Sequence, residues 1–160
     1  MSQLATEVGK RLREKGLTLG TVESASGGII AQLITGVPGS SDYFKGGIVA
    51  YSNELKVGLL GVRRETIDRF GAVSRETALA MASGGRERLG VDICLADTGI
   101  AGPAGATPEK PVGLFYLGLA HKGGAESRRH LFTGSREQNR QDAAEAALTW
   151  LKEYLKELNR

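Results

Sequence analysis

The stretch Thr21–Val22–Glu23–Ser24–Ala25–Ser26–Gly27–Gly28 follows a short β-like run, Leu17–Thr18–Leu19–Gly20, and opens an apolar helical pattern, Ile29–Ile30–Ala31–Gln32–Leu33–Ile34. A strand feeding a small-residue loop and then a helix delivers side chains to the carboxyl edge of a sheet, where ligands of open α/β folds bind. The glycine pair permits close backbone approach, and the amides of a new helix attract anions. Two hydroxyls and a carboxylate share the loop. The residues alone leave two readings open: a ligand-binding loop, or a glycine turn with a serine helix cap.

The rest of the chain alternates helix-like and strand-like segments. Leu4, Val8 and Leu12 recur at a spacing of four and predict an amphipathic helix over residues 3–14. A strand runs to Val22 and a helix from Gly27 to about Thr35, before the break at Pro38–Gly39–Ser40–Ser41. Residues 47–51 read as a strand, and Ser52–Asn53 as the start of a helix over 54–60. Further helices are expected over 64–70, from a Ser74 cap to about Leu89, and from about Arg136 to Leu158. Residues 92–97 form a strand running into a glycine-rich loop. Residues 112–120 and 126–132 pair as a hairpin through Lys122–Gly123–Gly124. The pattern is that of one α/β domain over residues 1–160, a three-layer α/β/α sandwich with a mixed, mostly parallel sheet.

Composition excludes several classes. Apolar residues make up 41% and charged residues 24%, ordinary for a globular domain. No apolar run is long enough to span a bilayer and no signal-peptide pattern opens the chain, so a cytoplasmic protein without a membrane partner is expected. The single cysteine, Cys94, lies in an apolar run and reads as a buried hydrophobe. A net charge of +3 is spread among neighbouring acids, and no basic stripe with interleaved aromatics points to nucleic acid. Only Arg128–Arg129–His130, followed by Arg136 and Arg140, forms a local positive excess, a candidate anion subsite. Trp150 reads as core or interface.

Three strand ends converge on one rim in such a sheet: residues 23–28, 51–56 and 97–105. Both histidines, His121 and His130, fall in or near the hairpin, away from the hydroxyl loop. No Cys/His cluster has metal-ligand spacing and no phosphate-binding glycine-lysine loop is present, so no metal or cofactor is expected. Chemistry at this rim would pair a serine nucleophile with a lysine base. A free lysine has a pKa near 10.4, leaving about one molecule in 2,500 neutral at pH 7. Lowering it to about 7–8 takes roughly 3–5 kcal/mol of bias against the ammonium. Glu23 and Glu54 must therefore point away from Lys56.

Several long motifs in order carry a resemblance. They are Glu23–Ser24–Ala25–Ser26–Gly27–Gly28, Gly46–Gly47–Ile48–Val49–Ala50–Tyr51–Ser52–Asn53–Glu54–Leu55–Lys56, Gly71–Ala72–Val73–Ser74 and Thr98–Gly99–Ile100–Ala101–Gly102–Pro103. Glu109–Lys110–Pro111–Val112–Gly113 and Gly134–Ser135–Arg136 extend the match. Together they resemble the CinA C-terminal domain family, in a form without the molybdopterin-binding-like domain that precedes it in two-domain members. The resemblance implies a nicotinamide mononucleotide deamidase, converting that nucleotide to nicotinic acid mononucleotide and ammonia. It implies Ser24 as nucleophile, Lys56 as base, Glu23 and Tyr51 as supporting residues, and Thr98 and Arg140 as substrate contacts. Ser26, Gly27, Gly28, Gly99, Gly102 and Arg136 complete the expected binding set. A small nucleotide is the expected partner, with a homo-oligomer, a dimer first, as the expected assembly. Two positions depart from the family pattern. Ala25–Ser26 stands where Cys–Thr is usual, and Asp97 replaces an apolar residue, free to pair with a cationic ring or an arginine or to disturb Lys56. The alternative reading is a catalytically weak nucleotide-binding or competence-associated module.

Overall fold

The computed structural model describes residues 2–158. Five strands run β1 (Leu19–Glu23), β2 (Phe44–Val49), β3 (Ile93–Gly99), β4 (Leu114–His121) and β5 (Gly124–Leu131). Six helices join and flank them: α1 (Gln3–Lys15), α2 (Ile29–Thr35), α3 (Asn53–Leu60), α4 (Arg64–Phe70), α5 (Arg75–Leu89) and α6 (Arg136–Glu157). Serine side chains start four of the helices: Ser2 accepts from the Ala5 amide, Ser52 from Leu55, Ser74 from Thr77 and Ser135 from Gln138. Each such cap contributes about 1 kcal/mol by satisfying an amide the helix itself leaves unpaired.

The sheet order is β2-β1-β3-β4-β5. β1 pairs in parallel with β2 and β3, while β4 runs antiparallel to both β3 and β5. Only β4 is therefore reversed, which bears out a mixed, mostly parallel sheet closed by a hairpin. Alternating residues feed two cores. Leu19, Ile93, Leu95, Leu117 and Leu119 pack beneath α1, α2 and α6, with Trp150 among them. Val22, Cys94, Ala96 and Ala120 pack on the other face against Leu60, Ile67, Met81 and Ala82. The side-chain period of two places one helical layer on each face. Burial pushes the Cys94 thiol up to about 12, keeping it an inert hydrophobe.

Three of the boundaries that differ from the sequence reading lie at the rim where the strand ends meet. The β2 strand covers Phe44–Val49 and stops before Tyr51, because the carbonyls of Ala50 and Tyr51 turn away to Lys56. The β3 strand continues to Gly99, because β4 supplies Tyr116 and Phe115 opposite Thr98 and Gly99. The α2 helix begins at Ile29, because Gly27 and Gly28 take left-handed φ values of 61° and 103°.

From β1 the chain passes to β2 on one side and later to β3 on the other, so the strand order reverses at β1. Crevices form at such a reversal, outside the carboxyl ends of the strands. Among the described residues no helix is long and apolar enough to cross a membrane.

Candidate active site

A cleft of about 230 Å³ opens at that reversal. Its wall includes Ser24 and Ala25 after β1, Tyr51 and Lys56 around the start of α3, and Thr98 and Gly99 at the end of β3. Arg136, from the first turn of α6, completes one side.

Lys56 reaches this cleft from within the protein and is only 2% exposed. Its Nζ lies 3.0 Å from Ser24 Oγ, 3.0 Å from the Ala50 carbonyl and 2.9 Å from the Tyr51 carbonyl. An ammonium fills all three positions as donor. A neutral amine keeps both carbonyl bonds and turns its lone pair toward the Ser24 hydroxyl. Burial lowers the Lys56 pKa, opposed by the charge of Asp97. The acids that had to point elsewhere do so: Glu54 is exposed, and Glu23 is engaged with α2.

Glu23 is buried and closes the N-terminus of α2 in place of a serine cap. Its Oε1 accepts from the amides of Gly28 and Ile30, and Oε2 from that of Ala31, at 2.9–3.1 Å. The support it gives is thus to the loop, and it does not line the cleft. Ser26 is wholly buried as well. Its hydroxyl meets Glu23 and Asp97, which turns it away from any ligand and corrects its expected place in the binding set. Gly27 and Gly28 lie outside the wall of this cleft and line a neighbouring groove with Arg136 and Arg140. Their amides already donate to the Ser24 carbonyl and to Glu23, and their contribution is the left-handed turn.

Asp97 anchors the loop from below. It accepts from the amides of Ser24 and Ser26, both at 3.0 Å. Its side chain is fully buried, so it does not reach a cationic ring in the cleft. Burial, with Glu23 nearby, pushes its pKa from 3.8 up to about 6. Folding therefore binds this proton more tightly than the unfolded chain does, and stability falls as pH rises from 3.8 to about 6. The loss is about 3 kcal/mol and persists above that window. In Asp97→Asn this part of the pH dependence should vanish, which urea midpoints across the window would measure.

The two arginines, both expected in the binding set, take different places. Arg140 Nε donates to the Ala25 carbonyl at 2.9 Å and Nη2 to the Ser26 carbonyl at 3.3 Å. It holds the outer side of the Ser24–Ser26 loop and stays outside the cleft wall. Arg136 lines the cleft, with Nη1 on the Gly102 carbonyl at 2.9 Å and Nη2 3.4 Å from Tyr51 Oη. Gly102 thus enters through its carbonyl, behind the wall. Tyr51 is 62% exposed, its ring at the mouth and its carbonyl on Lys56. Thr98 lines the cleft but donates its hydroxyl to the Ala72 carbonyl at 2.8 Å.

Ala72, Val73 and Lys110 contribute without a role assigned from sequence. Ala72 and Val73, in the turn before α5, form part of the wall. Lys110 Nζ donates to the Phe70 and Val73 carbonyls at 2.6 and 2.7 Å, tying the glycine-rich loop to that turn. The sole sequence signal was membership of their motifs. Among the described residues no group of three or more His, Cys, Asp or Glu side chains is placed to hold a metal ion.

The model of the CinA C-terminal domain matches residues 1–155. The chain belongs to the CinA C-terminal domain family. A CinA-like protein of Leptospira borgpetersenii serovar Hardjo-bovis is 50% identical over 151 residues, which cover 94% of this chain and 36% of that relative. The chain thus spans a little over a third of the length of the curated CinA relatives it matches. Solved members of the superfamily match along nearly their whole length. Competence damage-inducible protein A from Klebsiella pneumoniae gives a TM-score of 0.93 at 33% identity, with 96% of each chain covered. The competence/damage inducible protein CihA from Agrobacterium tumefaciens gives 0.89 at 39% identity, with 99% and 94% covered.

Proposed function

We propose that the protein is a hydrolase of the amide class, acting on the carboxamide of nicotinamide mononucleotide with Ser24 as nucleophile and Lys56 as base. The observation that carries the reading is the Lys56 amine, buried, 3.0 Å from Ser24 Oγ, with its other polar contacts confined to two carbonyls. Membership of the CinA family supports the substrate class.

In the reaction, Lys56 takes the Ser24 hydroxyl proton as Oγ attacks the carboxamide carbon. The resulting ammonium passes that proton to the departing nitrogen, ammonia leaves, and an acyl ester remains on Ser24. Water then attacks the ester while Lys56 accepts its proton, and return of the proton to Ser24 Oγ releases the carboxylic acid. The oxyanion needs amide donors. Because the amides of Ser24, Ser26, Gly27 and Gly28 are already bound, Ala25 and Gly99 in the cleft wall are the positions that fit.

The decisive assay is ammonia release from a panel of pyridine nucleotides with and without EDTA. Release from the mononucleotide, unaffected by EDTA, is the expected result. Binding without release would instead favour the nucleotide-binding module, and a rate lost in EDTA and restored by a divalent metal would remove the serine–lysine scheme.

The position of Arg136 in the cleft wall supports its role in the reading as the arginine that holds the 5′-phosphate by charge-assisted hydrogen bonds. Arg136→Ala should raise KM for the mononucleotide by about 10- to 100-fold, against a small change for the phosphate-free riboside. Arg140→Ala should instead lower kcat for both substrates alike, because it loosens the loop carrying Ser24. Steady-state kinetics on the two substrates separates these outcomes, and equal KM effects of Arg136→Ala on both would move the phosphate elsewhere.

A further inference from the structure

Three polar side chains that the reaction leaves unused meet beneath the nucleophile loop. Glu23 ends β1, Asp97 lies in β3 and Ser26 stands in the loop, and all three are buried. Ser26 Oγ lies 2.6 Å from Glu23 Oε1 and also within hydrogen-bonding reach of Asp97 Oδ1. A hydroxyl has one hydrogen and donates in one of these directions only. The other oxygen–oxygen contact needs a hydrogen of its own. With every member buried, a carboxyl group is the source at hand.

The neighbouring donors indicate which carboxyl supplies it. Glu23 receives three backbone amides in addition to the hydroxyl, an arrangement suited to an acceptor-only carboxylate. Asp97 receives two. The charged groups acting on Asp97 are Glu23 from β1 and Lys56 from α3, while Arg140 of α6 is held on the Ala25 and Ser26 carbonyls. The α2 helix carries no charged side chain, and β4 places Leu117 opposite.

We propose that Glu23, Ser26 and Asp97 share one proton beyond the serine's own, carried on Asp97 Oδ1, so that a neutral carboxyl holds the nucleophile loop. Asp97 donates to Ser26 Oγ, whose hydroxyl donates to Glu23 Oε1. In this state Asp97 accepts the Ser24 and Ser26 amides without placing a negative charge near Lys56, and the amine loses its proton more readily. Ionisation of Asp97 then stabilises the Lys56 ammonium, linking the two titrations. Asp97 is thus a positioning residue that also tunes the base. Its effect on catalysis rests on the serine–lysine reading; the shared proton does not.

The test is a 13C NMR titration of the full chain, labelled in one sample at aspartate Cγ and in another at glutamate Cδ. The chain has five aspartates, and Asp97→Asn identifies the resonance. The expected result is one aspartate carboxyl that keeps its proton to about pH 6, the value to which burial raises Asp97. If Asp97→Asn does not fold, the wild-type titration still decides, since the other four aspartates are not fully buried. An Asp97 signal titrating near 3.8, the ordinary aspartate value, or a buried proton on Glu23 instead, overturns the proposal. A second readout is the pH–rate profile. Asp97→Asn should move the Lys56 ionisation to lower pH, while an unmoved or raised ionisation denies the tuning. A high-titrating Asp97 without ammonia release would sink the amidase reading and leave the proton in place; the reverse pattern would do the opposite.

Discussion

Ser24→Ala is expected to lower ammonia release from nicotinamide mononucleotide on the order of 10⁴-fold or more, as loss of the nucleophile does in acyl-transfer enzymes. The fold should survive, because Asp97 holds Ser24 through its backbone amide and not through the deleted hydroxyl. Substrate affinity, read by equilibrium binding, should change little, since no charged contact is lost. Ser26→Ala is the informative companion. It removes a hydroxyl lying between two buried carboxyls, so its main effect should be a stability loss of about 1–3 kcal/mol with part of the activity kept. An active Ser24→Ala enzyme would transfer the chemistry away from this hydroxyl.

Lys56→Arg is expected to be nearly as damaging, because a guanidinium stays protonated at any working pH and cannot take the Ser24 proton. On the proposed serine–lysine chemistry, the neutral amine is the active form in the unsubstituted protein. The rate should therefore rise with pH through an ionisation below the ordinary lysine value of 10.5, lowered by burial. The same depression has a stability sign. Between the folded pKa and 10.5 the unfolded chain binds more protons, so stability rises with pH there, and the cost of burying the ammonium is fully present below the folded value. Lys56→Met, uncharged and of similar length, should consequently be inactive yet more stable at neutral pH, with the advantage shrinking toward pH 10.5. Urea unfolding at the two ends of that range measures it. Near-normal turnover in Lys56→Arg would exclude Lys56 from proton transfer.

Much of the architecture was legible because its signals are short-range. The Ser52 and Ser74 caps act on amides three residues ahead, and the α4 and α5 boundaries fall where the residue pattern predicts. Alternation of Leu19 with Val22, and of Leu95 with Cys94, encodes two cores because strand side chains alternate between faces. Where reading failed locally, the partner lay outside the usual capping spacing or on another strand. Glu23 displaced the expected serine cap of α2, and strand β4 extended β3 into what reads as a glycine loop.

From the sequence by itself came the order of elements, the meeting of three strand ends at one rim, and a serine–lysine pairing where no histidine was in reach. Tertiary structure alone decided which hydroxyl faces the amine, which arginine faces the cleft and what the two buried acids do. Ser24 and Lys56 are 32 residues apart, Ser26 and Asp97 71, and Ala25 and Arg140 115. Periodicity and capping are properties of neighbouring residues. Contacts at these separations exist only once the sheet has placed β1 between β2 and β3 and α6 has folded back over the loop. The ionisation of Lys56 and Asp97 depends on that step as well, since desolvation exists only in the packed interior.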